Sequence, residues 1–198
     1  MHQRTAQITR DDTLLNIGLV AGAAALTAVC AQISWGYPVP TTMQTFAVLS
    51  TAALLGARRA TAAQLLYLAV GAMGAPVFAE GHGGITYLTT ADPLHASGGY
   101  LWGFVLAAFV VGWIADRFGQ SFYVTVPAML LGSVAMYAVG LVWLSASFSG
   151  VPYTGAGDTI LHWGLWPFVL GDVAKIFAAA AVVDPAAPWG RLLDRARG

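Results

Sequence analysis

Two ionisable residues near the C-terminus sit where a lipid-embedded chain has least use for them. Asp172 and Lys175 lie inside segment 161–183, an otherwise apolar stretch long enough to cross a bilayer. A charged side chain at the middle of a spanning helix costs about 2.5–3.5 kcal/mol on insertion scales. Their i, i+3 spacing puts both on one helix face, offset by about 60°, and that face must turn away from lipid. One reading is a buried ion pair that locks a helix bundle. Desolvation offsets the attraction in such pairs, so they are poor stabilisers. The other reading is a ligand site. Lys175, the chain's single lysine, would meet a ligand carboxylate, and Asp172 would accept hydrogen bonds from ligand N–H groups. An intramembrane ionisable residue marks function by default, and the second reading is preferred.

Other polar groups gather in the same half of the chain's apolar segments. The stretch "YPVPTTMQT" (37–45) separates two such segments and brings Thr41, Gln44 and Thr45 together. It is either a tight turn or part of a site. Tyr67 lies within a third segment. "HASGGY" (95–100) opens a fourth, where free N–H groups and the positive helix end favour an anionic or carbonyl group. Tyr67 and Tyr100 also fit as core aromatics, and Ser97-Gly98-Gly99 as an ordinary helix start.

The composition names the solvent. Of 198 residues, 58% are hydrophobic and 9% charged, against about 25% charged in a soluble domain. The surface must therefore face mostly lipid. Zero net charge and no basic patch argue against nucleic acid. The single cysteine, Cys30, permits no disulfide within the chain and no thiolate metal site. "GHGG" (81–84) has no G-x-S-x-G nucleophile to serve. His2, His82, His95 and His162 are scattered, without H-E-x-x-H or P-loop. No enzyme and no cofactor is expected, and His82 and His95 read as plain loop residues.

Six apolar segments follow: 14–35, 43–56, 61–78, 98–115, 122–144 and 161–183. The expectation is an all-α integral membrane bundle of six helices, a single membrane domain over residues 1–198. All eight arginines fall in the N-terminal arm (Arg4, Arg10), two short loops (Arg58, Arg59; Arg117) and the tail (Arg191, Arg195, Arg197). Segments 36–42, 79–97 and 145–160 contain no Lys or Arg; their charge is Glu80, Asp92 and Asp158. Six spans put the two sets on opposite sides, and the positive-inside rule makes both termini cytoplasmic. Arg4 and Arg10 before an apolar run resemble a signal peptide, and "TAVC" (27–30) a lipoprotein cleavage box. Val29 is too bulky for such a box, and the run is long enough to span, so it is read as a retained first helix. That helix carries Ala21, Ala24, Ala25, Ala28 and Ala31, with Gly22, at small-xxx-small spacing. Such a face suits close helix packing, within this bundle or against a second membrane subunit.

Four ordered motifs carry a resemblance. "PVPTTMQTF" (38–46), "YLAVGAMGAPVFAEGHGG" (67–84), "SGGYLWGF" (97–104) and "PFVLGDVAK" (167–175) resemble the signature segments of the BioY family across most of the chain. BioY proteins are the substrate-specific S components of energy-coupling-factor (ECF) vitamin transporters. The resemblance implies capture of biotin from outside and six membrane helices. As partners it implies a transmembrane coupling protein and ABC-type ATPases, which alone use ATP; some family members act without them. The oligomeric state stays open. The resemblance further implies a biotin site containing Asp172 toward the ureido N–H groups and Lys175 for charge balance or the carboxylate. Gln44 and Thr41 would form a lid, and Tyr67, Ser97, Gly99 and Tyr100 a wall. Ala21, Ala25 and Ala28 would dock the coupling protein. The sequence departs from the family at "LGARRA" (55–60), which lacks the usual proline and final glycine, and at "ADPLHA" (91–96). An S component for another vitamin, and a structural subunit without ligand, are the competing readings.

Overall fold

The computed structural model describes residues 2–36, 38–149 and 156–186. Arg191, Arg195, Arg197 and the side chains of Arg4, Arg10 and Asp158, which entered the charge argument above, lie outside the described residues. The chain is helical almost throughout, as backbone that must satisfy its own hydrogen bonds in lipid requires. Helix α1 (His2–Ala31) leads into an antiparallel ribbon of β1 (Ser34–Trp35) and β2 (Thr41–Thr42). Its register pairs Ser34 with Thr42 and Trp35 with Thr41. Helix α2 (Gln44–Ala72) follows. A long connection then holds a 3-10 turn at Ala79–Gly81, the short helix α3 (Thr86–Thr89) and a second 3-10 turn at Pro93–His95. Helices α4 (Gly98–Phe118), α5 (Phe122–Ser147), α6 (Ala156–Gly164) and α7 (Trp166–Val183) complete the order.

Among the described residues, four stretches are long and apolar enough to cross a membrane by length and composition: Thr13–Ala31, Pro93–Phe118, Phe122–Ser147 and Ile160–Val183. The last joins α6 and α7 across Leu165 (φ −131°, ψ −64°), beside Pro167 in the first turn of α7. Leu165 is the N-cap of α7 and leaves helical geometry there, while Pro167 is tolerated in the first turn, where its missing N–H has no intrahelical partner. The two halves of α2 supply the remaining helices, for six in all.

Those halves meet differently from the sequence expectation. A short arginine-bearing loop was expected between segments 43–56 and 61–78. The chain instead reverses on one residue, Gly56 (φ 76°, ψ 173°), with helix on both sides. A left-handed φ favours glycine, and space demands it too, since a Cβ here would lie 2.2 Å from Asp116 Oδ1. The broken helix ends are satisfied from the last turn of α4 and the connection that follows it. Asp116 Oδ2 accepts from the Ala57 N–H at 2.9 Å, and Gln120 Nε2 donates to the Ala53 carbonyl at 2.6 Å. Arg58 and Arg59 therefore sit in the first turn of the second half, and Arg117 in the last turn of α4. Asp184 plays a similar part for α5, accepting from the Phe122 N–H at 3.1 Å.

Helix α4 packs most extensively, against α2 and α5. The contacts are built from small side chains. Ala47, Ala52, Ala53, Ala60 and Ala63 of α2, Ala108 of α4, and Ala179 and Ala180 of α7 are wholly buried. Lipid gives no hydrophobic drive for helix association, so close approach through small residues supplies the attraction. One buried polar contact joins α1 to α2, from Gln64 Nε2 to Thr27 Oγ1 at 3.1 Å. On the free side of α1, Gly18, Ala21, Gly22 and Ala25 are exposed, while Ala28 is half-buried against the core.

Asp116→Ala should lower stability by about 0.5–2 kcal/mol through loss of the cap. Gly56→Ala should cost more, because a positive φ with extended ψ is essentially a glycine conformation and adds about 1–3 kcal/mol to the clash with Asp116. Thermal unfolding in detergent checks both; wild-type melting of Gly56→Ala would show that the reversal does not depend on glycine.

Candidate functional site: a polar-headed cleft between α2, α4, α5 and α7

The i, i+3 face of α7 turns inward, as its charges require. Lys175 Nζ lies 2.9 Å from Asp172 Oδ1, and the residues are 8% and 5% exposed. The pair is not left to itself. Thr45 Oγ1 of α2 donates to Asp172 Oδ1 at 2.9 Å, and the Tyr137 hydroxyl of α5 donates to Oδ2. Lys175 Nζ also donates to the Thr42 carbonyl of β2 at 2.7 Å. Three helices and the ribbon thus converge on one ion pair.

Beside it opens a cleft with about 500 Å³ of free space, counting the open solvent at its mouth. Its polar head is Asp172, Lys175, Gln44, Thr45, Thr42 and Tyr137; its body is apolar, with Leu101, Phe104, Met136 and Phe168. Val39 and Pro40, on the connection between the two ribbon strands, close one side. Ala79, Tyr87 and Ser97 from the long connection and the start of α4 close another. Tyr100 stands among them, edge-on to Tyr137 with ring centroids 6.2 Å apart and an interplanar angle of 87°. Its hydroxyl donates to the Gly164 carbonyl at 2.8 Å, which ties α4 to the bend before α7.

The long connection is held by its own aromatic stack. Tyr87 contacts Phe78, His82 and His95 at centroid distances of 5.3, 5.5 and 5.4 Å, and its hydroxyl is bonded to that of Ser97. Burial pushes the Tyr87 phenol up. The His95 ring donates to Asp92, and this bond, aided by the Leu94 and His95 amides, holds the Asp92 carboxyl below the usual carboxylate range. His82 Nδ1 lies 2.9 Å from the Ala79 carbonyl. Both histidines thus serve the connection, one step behind the cleft wall.

Asp172, Lys175, Gln44, Ser97 and Tyr100, all singled out from the sequence, come together in the lining. Three others do not line it. Tyr67 is 2% exposed and stands behind Gln44. Its hydroxyl accepts from Gln44 Nε2 at 2.8 Å and donates to the Val77 carbonyl at 3.1 Å. Thr41 pairs with Trp35 in the ribbon, while its neighbour Thr42 reaches the cleft. Gly99 lies at the contact of α4 with α5, where a Cβ would come within 2.1 Å of Trp143 Cβ. Ala21, Ala25 and Ala28 lie on α1, away from the cleft. Tyr137 and Thr42 were not anticipated. A lone hydroxyl in the apolar run "AMYAVG" (135–140) was the signal available for Tyr137.

A six-helix membrane bundle with a buried ion pair at the head of an apolar cleft defines a membrane protein built to hold a small molecule. Its sequence says which kind: the BioY family profile matches residues 2–191, and the chain belongs to that family. It is similar to the biotin transporter BioY of Rhizobium etli, with 35% identity over 181 residues covering 87% of this chain and 90% of that one. The probable biotin transporter BioY of Pyrococcus horikoshii is 36% identical over 168 residues, 84% and 91% of the two chains. Among solved structures, the S-component for biotin from an ECF-type ABC transporter shares the fold. Its TM-score is 0.71 at 24% identity, covering 87% of this chain and 90% of that one.

Tyr67→Phe would strip Gln44 Nε2 of its acceptor and the Val77 carbonyl of its nearer donor, leaving it Gln32 Nε2 at 3.4 Å. A loss of about 1–3 kcal/mol in stability is expected, as for a buried polar group left unpaired, read by thermal unfolding in detergent.

Proposed function

We propose that this chain is the biotin-binding subunit of a vitamin transporter, capturing biotin at the cleft and delivering it across the membrane. The observation that carries the reading is the Asp172–Lys175 pair at the head of an apolar cleft. Biotin has a ureido ring with two N–H donors and a carbonyl, an apolar body and a carboxylate. A pocket that is mostly apolar, with a few placed polar groups, suits it. Asp172 takes ureido N–H groups, and Lys175 balances that charge. Gln44 fixes the ring, Val39 and Pro40 cover it, and Tyr100 and Ser97 bound the body. Membership of a family whose relatives are named for biotin transport supports the choice of vitamin.

Orientation follows from charge. Arg58, Arg59 and Arg117 lie at the Gly56 end of the bundle, and the cleft lies at the opposite end, beside the ribbon. By the positive-inside rule the Gly56 end and both termini are cytoplasmic, and the cleft faces outward. The chain forms a single membrane domain in the cell membrane and needs no cofactor of its own. A transmembrane coupling protein engages the exposed Ala21–Gly22–Ala25 face of α1, and ABC-type ATPases spend ATP to reorient the site. The family likeness and the open small-residue face support these partners.

Calorimetry of purified protein with biotin is the direct test. Tight binding is expected, weakened by more than about 1–3 kcal/mol in Asp172→Asn and in Lys175→Ala. Wild-type affinity in both variants would refute the site; binding of another vitamin in preference to biotin would refute the ligand. Ala25→Leu should keep biotin affinity and reduce co-purification with the coupling protein. Unchanged co-purification would remove α1 as the docking face.

A further inference from the structure

The Val77 carbonyl, on the connection that follows α2, can only accept hydrogen bonds. Its nearer donor is the Tyr67 hydroxyl at 3.1 Å. The other, Gln32 Nε2, stands at 3.4 Å and faces the Ala28 and Phe78 carbonyls as well, each at 3.2 Å. Two hydrogens serve three acceptors there, so Val77 depends on Tyr67. With its one hydrogen given to Val77, the Tyr67 oxygen can only accept, and it accepts from Gln44 Nε2 at 2.8 Å. The Gln44 amide is turned accordingly, with nitrogen toward Tyr67 and Oε1 toward the Thr42 hydroxyl at 3.0 Å. Thr42 could not choose this sense alone. A hydroxyl donates or accepts as its neighbour requires, and Thr42 Oγ1 already accepts from the Gln44 backbone N–H at 3.2 Å. Tyr67 and Gln44 are both buried.

We infer that Tyr67 is a positioning residue for the ligand, holding the Gln44 amide so that its nitrogen, the donor end, serves the cleft. The inference rests on the reading of the cleft as a biotin site and deepens it: Gln44 meets the ureido ring in one sense only. Nε2 carries two hydrogens and Tyr67 takes one. Gln44 lines the cleft, and its second hydrogen is left for an acceptor there. Its neighbours tie it to the polar head, since Thr45 bonds Asp172 and the Thr42 carbonyl bonds Lys175. A ureido group has one acceptor, its carbonyl oxygen, so Gln44 reads the carbonyl while Asp172 takes an N–H. Turned over, the amide would present a lone pair at the same place, repelling a carbonyl and suiting an N–H instead. Without the Tyr67 hydroxyl the present sense leaves a buried N–H against a phenyl ring, unsatisfied. Turning over would hand that N–H to Thr42 Oγ1. The hydroxyl of Tyr67 is thus what keeps the cleft a donor at this point.

The test uses the full chain in detergent at neutral pH with two probes. One is biotin. The other is 2-iminobiotin, whose ureido oxygen is replaced by nitrogen, giving a guanidinium group that only donates. Both probes meet the same Asp172 and Lys175 in each protein, so a change in the ratio of their affinities isolates Gln44. Wild type should prefer biotin by about tenfold or more. Tyr67→Phe should bind biotin about threefold more weakly, and its preference for biotin should shrink by about threefold or more. An unchanged ratio would overturn the proposal whatever the absolute affinities, because a merely structural loss weakens both probes alike. Wild type that binds the two probes equally would overturn it too. Should Tyr67→Phe melt too far below wild type to be read, Gln44→Glu decides. A carboxylate has no donor end, so the preference for biotin should collapse; a retained preference would show that Gln44 gives the ligand no hydrogen and would overturn the proposal. No biotin binding by folded wild type would instead overturn the biotin reading, and this inference with it.

Discussion

One carboxylate, withdrawn from water, organises the molecule. Asp172 collects a hydroxyl from α2, a phenol from α5 and an ammonium from its own helix. Removing a partner from a buried pair commonly costs about 3–5 kcal/mol, because the remaining charge is uncompensated. The demand for full satisfaction therefore fixes how three helices sit against one another, where small apolar contacts alone would tolerate sliding. Lys175 extends the constraint to backbone. By holding the Thr42 carbonyl at 2.7 Å, it draws the ribbon toward the cleft, and the connection carrying Val39 and Pro40 follows.

This arrangement also suits a cleft to a ligand without reorganisation. Every group at the polar head has a partner within the protein, so no orphaned charge is buried there. Gln44 and Lys175 each retain an unused hydrogen, and Asp172 and Tyr137 unused lone pairs. Recognition can then proceed by addition to a standing network, with little reorganisation. Pre-organisation of this kind reduces the ordering cost of binding.

Much of this was legible in the sequence, and the exceptions share a cause. Asp172, Lys175, Gln44 and Ser97 stood out because polar groups in an apolar chain are conspicuous, and the hydropathy pattern alone implied a helical membrane bundle. Tyr137 did not stand out, since a tyrosine in a spanning helix reads equally well as an interface aromatic. Thr41 and Thr42 differ by one position, and alternation along a strand sends neighbours to opposite faces. Sequence could not say which faced inward before the register was known. Gly99 looked like part of a ligand-facing helix start but lies where α4 meets Trp143. Tyr67 proved to orient Gln44 from behind. The reversal at Gly56 needed Asp116, 60 positions along the chain and adjacent through the fold. Contacts of that kind are tertiary and leave no local signature.

That reversal has a consequence for how the molecule moves and ages. Two helices joined by a single capped residue have no slack. Displacement of one half of α2 must be followed by the other, so the hairpin acts as a lever whose arms are clamped by the end of α4. The same joint offers a protease no extended backbone, because cleavage needs several residues that can be drawn out of regular structure. Between the described helices, the exposed, irregular backbone is concentrated instead in the 73–97 connection at the other end. Nicking between the described helices from the two faces of a sealed vesicle would therefore be an unequal contest, with the Gly56 joint silent.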